Sequence, residues 1–168
     1  MKFPRLTKLI ALTSLLLVGV IGISACETSE QTKAREAAEI QAGKDVTSEW
    51  LTAVVENGVT ASDNPSLSHV TTKSRLGYKR DTEGKTSLLS YLAFGVEIPE
   101  GDLASFTVDD MERRKSKGRS TVTLTFKDGN KVTTGVGLLL VGRRDERKWQ
   151  VDAVGEVDLF TPGDISRE

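Results

Sequence analysis

The chain has 168 residues, 38% of them hydrophobic and 28% charged, which excludes a disordered or collagen-like polymer and sets one ordinary globular domain as the expectation. With 23 lysines and arginines against 24 acidic residues the formal charge is −1, a balance that gives no argument for nucleic-acid binding. A single cysteine, Cys26, and a single histidine, His69, rule out a disulfide within the chain and leave no Cys/His set with metal-ligand spacing, so neither a metal nor another cofactor is expected.

At the N-terminus Lys2, Arg5 and Lys8 precede Leu9–Ala25, a run of 17 residues without a charge. Positive residues held on the cytoplasmic side of an apolar segment make an export signal. The run is also close to the ~20 residues that span a bilayer as a helix, so a retained transmembrane anchor is the alternative. The run ends in Ile23-Ser24-Ala25-Cys26, apolar, small, small, Cys, which resembles the lipobox of bacterial lipoprotein signal peptides. That resemblance implies a diacylglyceryl group on the Cys26 thiol, cleavage between Ala25 and Cys26, and often acylation of the freed amine. Two acyl chains hold a protein stably on a bilayer where one holds it marginally, each buried methylene contributing about 0.8 kcal/mol. Removing Lys2, Arg5 and Lys8 from the 23 basic residues leaves 20 against 24 acidic ones, a moderately acidic exported domain.

Four segments are expected: a signal peptide over 1–25, the lipidated cysteine and a polar tether over 26–36, one α+β domain over 37–162, and a tail over 163–168. From Ala37 onward Ile40, Val46, Trp50, Leu51, Val54 and Val55 recur at helical spacing, and Asn57-Gly58 supplies a stop. Asn64-Pro65 is a start signal for a short second helix carrying Leu67 and Val70 inward. The segment "RDTEGK" reads as a loop, and a third helix is expected from about Thr86 through Phe94, ended by Gly95.

After Pro99 the apolar period drops to two. Ala104, Phe106 and Val108 share one parity, as do Val122, Leu124 and Phe126; Asp128-Gly129-Asn130 turns into "KVTTGVGLLLV", and "GRRDER" turns into "KWQVDAVGEVDLF". In that last segment Trp149, Val151, Ala153, Val157 and Leu159 keep a single parity, so four antiparallel strands with one buried face are expected. Gly135 and Gly137 permit a bend in the third of them. A long helix, two short ones and an antiparallel meander ending in Trp-x-Val resemble the NTF2-like, cystatin-like α+β cone over roughly residues 35–160. The resemblance implies helices packed on a curved sheet. It also implies the alternative that Tyr78, Tyr91, Asp109, Asp110 or His69 transfers protons in a cone pocket, as in isomerases and dehydratases of that class.

Direct motifs are few. "EGKTS" lacks the upstream glycine of a phosphate loop, its place being held by Lys79, so it reads as a cap for the third helix. "GVGLLLVG" sits in a strand pattern and is no dinucleotide fingerprint. Asp109 and Asp110 are neighbours on a strand and point to opposite faces, so no catalytic pair is assigned. The distinctive feature is charge at two turns: Arg113, Arg114, Lys115, Lys117 and Arg119 join strands one and two, and Arg143, Arg144, Arg147 and Lys148 join strands three and four. Alternate turns of a meander emerge at one end of a sheet, so these clusters should meet there. They either guard the sheet edges as solvated charge or contact anionic headgroups or an anionic envelope polymer. The expectation is a lipid-anchored cell-envelope protein with a small extracytoplasmic binding domain for a protein partner or ligand. A small enzyme and a homodimer formed through the threonine face of the sheet are the alternatives.

Overall fold

Helix α1 spans Ser29–Asn57 and begins well ahead of its apolar stripe. The computed structural model describes residues 29–58, 64–83, 85–143, 146–157 and 159. Most of the segment read as a tether is therefore helix, because Glu30, Gln31, Lys33, Ala34, Arg35 and Glu36 are strong helix formers that need no packing partner to favour the conformation. Farther on, Gly43, Thr47, Trp50, Leu51 and Val54 are buried along one stripe. Inside that stripe the Thr47 hydroxyl donates to the Gly43 carbonyl and shares a 2.9 Å hydrogen bond with the Ser120 hydroxyl, so these two buried hydroxyls are matched.

The expected second helix is two elements. A 3-10 turn, Pro65–His69, is capped by Asn64, whose side chain accepts from the Ser66 amide at 2.9 Å. Val70 then bridges to Val151 in extended conformation, and helix α2, Thr72–Thr82, starts afresh from a Thr71 cap. Its last turn takes in Arg80–Thr82, which the sequence assigned to a loop, and ends at Glu83 with φ of 50°. Helix α3 is shorter than expected, Leu88–Leu92, with Ser87 capping it as the "EGKTS" reading required.

The residues that follow correct the strand count. Ala93–Phe94 leave the helix and form strand β1, which pairs in parallel with the last strand. With β2 (Leu103–Arg114), β3 (Lys117–Phe126), β4 (Lys131–Val141) and β5 (Lys148–Gly155) the sheet is five-stranded and mixed, in the order β1-β5-β4-β3-β2, where four antiparallel strands were expected. Helices on one side of one sheet make the protein α+β, with a core of Trp50, Leu51, Leu89, Leu92, Leu124, Phe126, Leu138 and Val151 between the layers.

Strict alternation holds only in β3, where every second residue from Gly118 to Phe126 is buried. In β2 the register shifts at Leu103/Ser105 and at Val108/Asp110, so Leu103 and Met111 are buried while Ala104, counted as inward from its parity, is exposed. A third shift falls where Gly137 pairs with Ala153 and Leu138 with Val151, which leaves Asp152 as the extra residue of a bulge in β5. The shared parity of Trp149 through Leu159 is thereby split. Trp149, Val151 and Val154 join the main core, whereas Ala153, Val157 and Leu159 form a second cluster on the opposite face. Val157 comes back over β4, and a Cβ on Gly137 would lie 2.9 Å from one of its methyl groups.

The bulge is also a clamp. Asp152 accepts from the Thr71 hydroxyl at 2.7 Å and from the Ser74 hydroxyl at 3.3 Å, at the start of α2, where a carboxylate is favoured by the helix N-terminus. Replacing Asp152 by alanine removes the acceptor of the Thr71 hydroxyl, while the Ser74 hydroxyl keeps its 3.2 Å bond to the backbone carbonyl of residue 152, and is expected to cost about 1–2 kcal/mol in urea unfolding. Asn at this position retains a carbonyl acceptor and should cost less than half as much; an equal loss would show that the hydroxyls do not depend on that oxygen.

Candidate functional site

Two hairpin turns and the N-terminal half of α1 meet at one end of the sheet. Arg114 pairs with Lys117 across a two-residue turn in which Lys115 has φ of 55°, and the Ser116 carbonyl of that turn accepts the Leu140 amide of β4 at 2.8 Å. The β2–β3 turn is therefore tied to the end of β4, from which the β4–β5 turn departs. The two basic turns share an end, as the meander required, with the Lys127–Asn130 turn at the other.

The eight basic residues of these turns that the structure describes do not act as one patch. Arg113 turns toward the helix and forms an ion pair with Glu39 of α1. Arg119 turns to the outer face, where it donates to Glu112 at 2.9 Å and to the Val157 carbonyl at 3.4 Å. Arg114, Lys115, Arg143, Arg147 and Lys148 are exposed and Lys117 is half-buried. Arg144 lies outside the described residues, as do Ala25 and Cys26.

Arg113, Arg147 and Lys148 open onto a cleft of about 720 Å³ between α1, the 3-10 turn and the ends of β2, β4 and β5. Helix α1 gives it Arg35, Glu39, Ala42, Val46 and Glu49, and the strands give it Leu140, Trp149 and Gln150. Trp149 fixes the floor: its indole Nε1 donates to the Glu39 carbonyl at 2.9 Å, holding β5 against the helix. Four cations face two carboxylates around this cleft, on a protein whose overall charge is slightly negative. Glu39 is engaged by Arg113, whose own Nε is buried with no hydrogen-bond partner among the described residues. Among those residues neither Arg147 nor Lys148 has an acidic partner.

The turns were legible in the sequence; the helix side of the cleft was missed. Positions 35, 39, 42, 46 and 49 follow one helical stripe, and that spacing was the available signal. The candidates for proton transfer are dispersed. His69 reaches the cleft with its Nδ1 3.9 Å from the Glu49 carboxylate, itself well exposed. Tyr78 is fully buried, donating to the Thr86 carbonyl at 2.8 Å and packed edge-on against Tyr91, which donates to Asp81. Arg80 beside Asp81 holds that carboxyl below its usual range. Asp109 accepts from the Thr107 and Thr123 hydroxyls, whereas Asp110 approaches Lys44 of α1 at 3.5 Å, so the two carboxylates have separate partners; the shift at Val108/Asp110 makes Asp109 an extra residue in the strand, and the alternation expected of a regular strand does not hold there. The interior beneath the helix is filled by Trp50 and Trp149, with Phe106 packed at its margin, and Phe94, expected on the third helix, is exposed at the sheet edge.

Among the described residues no group of three or more His, Cys, Asp or Glu side chains is placed to hold a metal ion, and no helix is long and apolar enough to cross a membrane. No protein-family model matches the chain, and no curated protein or solved structure shows significant similarity to it.

Proposed function

We propose that the chain is a lipid-anchored cell-envelope protein whose α+β domain, of NTF2-like type, binds a partner at or near the extracytoplasmic face of the membrane. Cys26 carries the diacylglyceryl group after cleavage behind Ala25, and the basic turns meet anionic headgroups. The cone-like curvature draws support from the three register shifts in the sheet and from α1 crossing its face.

The observation that carries the reading is the position of α1. It begins three residues after Cys26, and Glu39, ten positions after its first residue, is ion-paired to Arg113 at the basic end of the sheet. Ten helical residues rise about 15 Å and three extended ones reach at most about 11 Å. The anchored sulfur thus lies within roughly 26 Å of the basic end, and the opposite end of the sheet is farther from it. Electrostatic attraction to headgroups decays over about 8 Å in physiological salt, so contact requires the overhanging first turns of α1 to lie along the surface. Each basic residue brought there contributes about 1 kcal/mol.

Intact mass of the membrane-extracted protein tests the anchor. A chain starting at Cys26 with an added diacylglyceryl mass is expected, and Cys26→Ser should leave the precursor unprocessed. A mature chain that keeps Met1 would instead establish a transmembrane anchor.

A further inference from the structure

The cleft at the basic end has the chemistry of a ligand site in its own right. Its volume, about 720 Å³, falls within the 300–1,000 Å³ typical of small-molecule sites. Its cationic lining includes Arg147 and Lys148, which lack acidic partners among the described residues, and Arg113, only partly satisfied by Glu39. Its apolar wall is made by Val46 and Ala42 on the helix and Leu140 and Trp149 on the strands, and the Glu49 carboxylate and His69 also line the cleft. A purely ionic ligand such as inorganic phosphate would leave that wall uncovered, and a purely apolar one would desolvate the cations without compensation.

We infer that the cleft between α1 and the basic hairpins binds single phosphate-headed amphiphiles, with Arg147 and Lys148 taking the phosphate and Leu140, Val46 and Trp149 taking the first carbons of the chain. Guanidinium and ammonium groups give a phosphate charge-assisted hydrogen bonds, which are the stronger kind. The inference rests on the membrane reading for the source of the ligand, a bilayer within reach of the anchor. It differs in kind from attraction to a charged surface, because it requires a saturable site with one molecule in it.

The two tryptophans make the site observable. Trp50 is fully buried in the core, whereas Trp149 lines the cleft, so a change in indole emission on titration reports on Trp149. The full chain, held in phosphatidylcholine vesicles, is titrated with dihexanoyl phosphatidic acid below its micelle concentration, in parallel with inorganic phosphate and dihexanoyl phosphatidylcholine. Isothermal calorimetry records any binding that leaves the fluorescence unchanged.

Saturable binding of the phosphatidic acid is expected, at least tenfold tighter than either of the other two probes. It should weaken roughly tenfold in the Arg147→Gln/Lys148→Gln double variant, whose substituted side chains are exposed and leave the fold intact. Equal affinity for inorganic phosphate would reduce the site to one for free anions. Equal affinity for the choline lipid, or an unchanged double variant, would remove the role given to the cations. No saturable binding by either measurement overturns the inference outright. None of these results depends on how the chain is anchored, since the probes are soluble and reach the cleft whether Cys26 carries lipid or the N-terminal run is retained.

Discussion

Trp50→Ala is expected to lower stability by about 3–5 kcal/mol, a large part of the 5–15 kcal/mol that holds a typical domain together. The side chain is wholly buried at the centre of the helix–sheet core, and its removal leaves a cavity bounded by a rigid sheet that cannot collapse into it. Trp50→Phe should behave very differently. The Trp50 indole nitrogen is buried and has no hydrogen-bond partner among the described residues, so the wild-type protein already bears the cost of desolvating that N–H, about 1–3 kcal/mol. Phenylalanine removes the unsatisfied donor and gives up part of the packing, and the two effects oppose each other, for a net loss of about 1 kcal/mol or less. Trp149→Phe is the contrast, because Trp149 does donate, to the Glu39 carbonyl. Urea unfolding followed by far-ultraviolet circular dichroism measures all three. If Trp50→Phe is as damaging as Trp50→Ala, the packing shape of the indole dominates and its N–H is not a liability.

How far the sequence reveals the fold depends on how regular each element is. Strand β3 alternates without interruption because the extra residues of its ladder with β2 fall on β2 and its ladder with β4 has no shift, so Val122, Leu124 and Phe126 could be placed from parity alone. Parity fails in β5 because Asp152 is an extra residue. Its side chain is drawn toward Thr71 and Ser74, two hydroxyls 78 and more positions away in sequence, and a local period carries no trace of so distant a partner. Ala93 and Phe94 were absorbed into a helix for a similar reason. Two residues are too few to show a period, and what makes them a strand is the edge of β5 beside them.

The candidate site divides along the same line. The basic turns were readable because a hairpin is a local structure and a meander fixes which turns share an end. The cleft beside them was not, since it needs α1 to overhang the sheet, and its first residue, Arg35, lies in a stretch whose polarity reads as a tether. Charge alone pointed to a surface. Only the approach of Val46 and Ala42 to Leu140 and Trp149 turns that surface into a cavity with an apolar wall.

Gly155→Ala is the second substitution expected to have a large effect, and two separate causes act at that position. The residue has φ of 122°, a conformation that is strained for any residue with a Cβ, at a cost of about 1–3 kcal/mol. A Cβ there would also lie 2.0 Å from the Phe94 carbonyl oxygen, which is backbone and cannot swing aside as a side-chain end would. The chain must therefore pull β1 away from β5, and with it the hydrogen bond at 2.9 Å from the Glu156 amide to that same carbonyl. Gly129 separates the two causes, because it has φ of 88° and open space where a Cβ would go. Gly129→Ala should cost only the conformational strain, about 1–2 kcal/mol, whereas Gly155→Ala should cost about 3 kcal/mol or more and expose the Phe94 and Glu156 amides to hydrogen exchange. Equal losses at the two positions would mean that β1 is held too loosely for its carbonyl to exclude a methyl group. In that case the parallel pairing that makes the sheet five-stranded would contribute little to its stability.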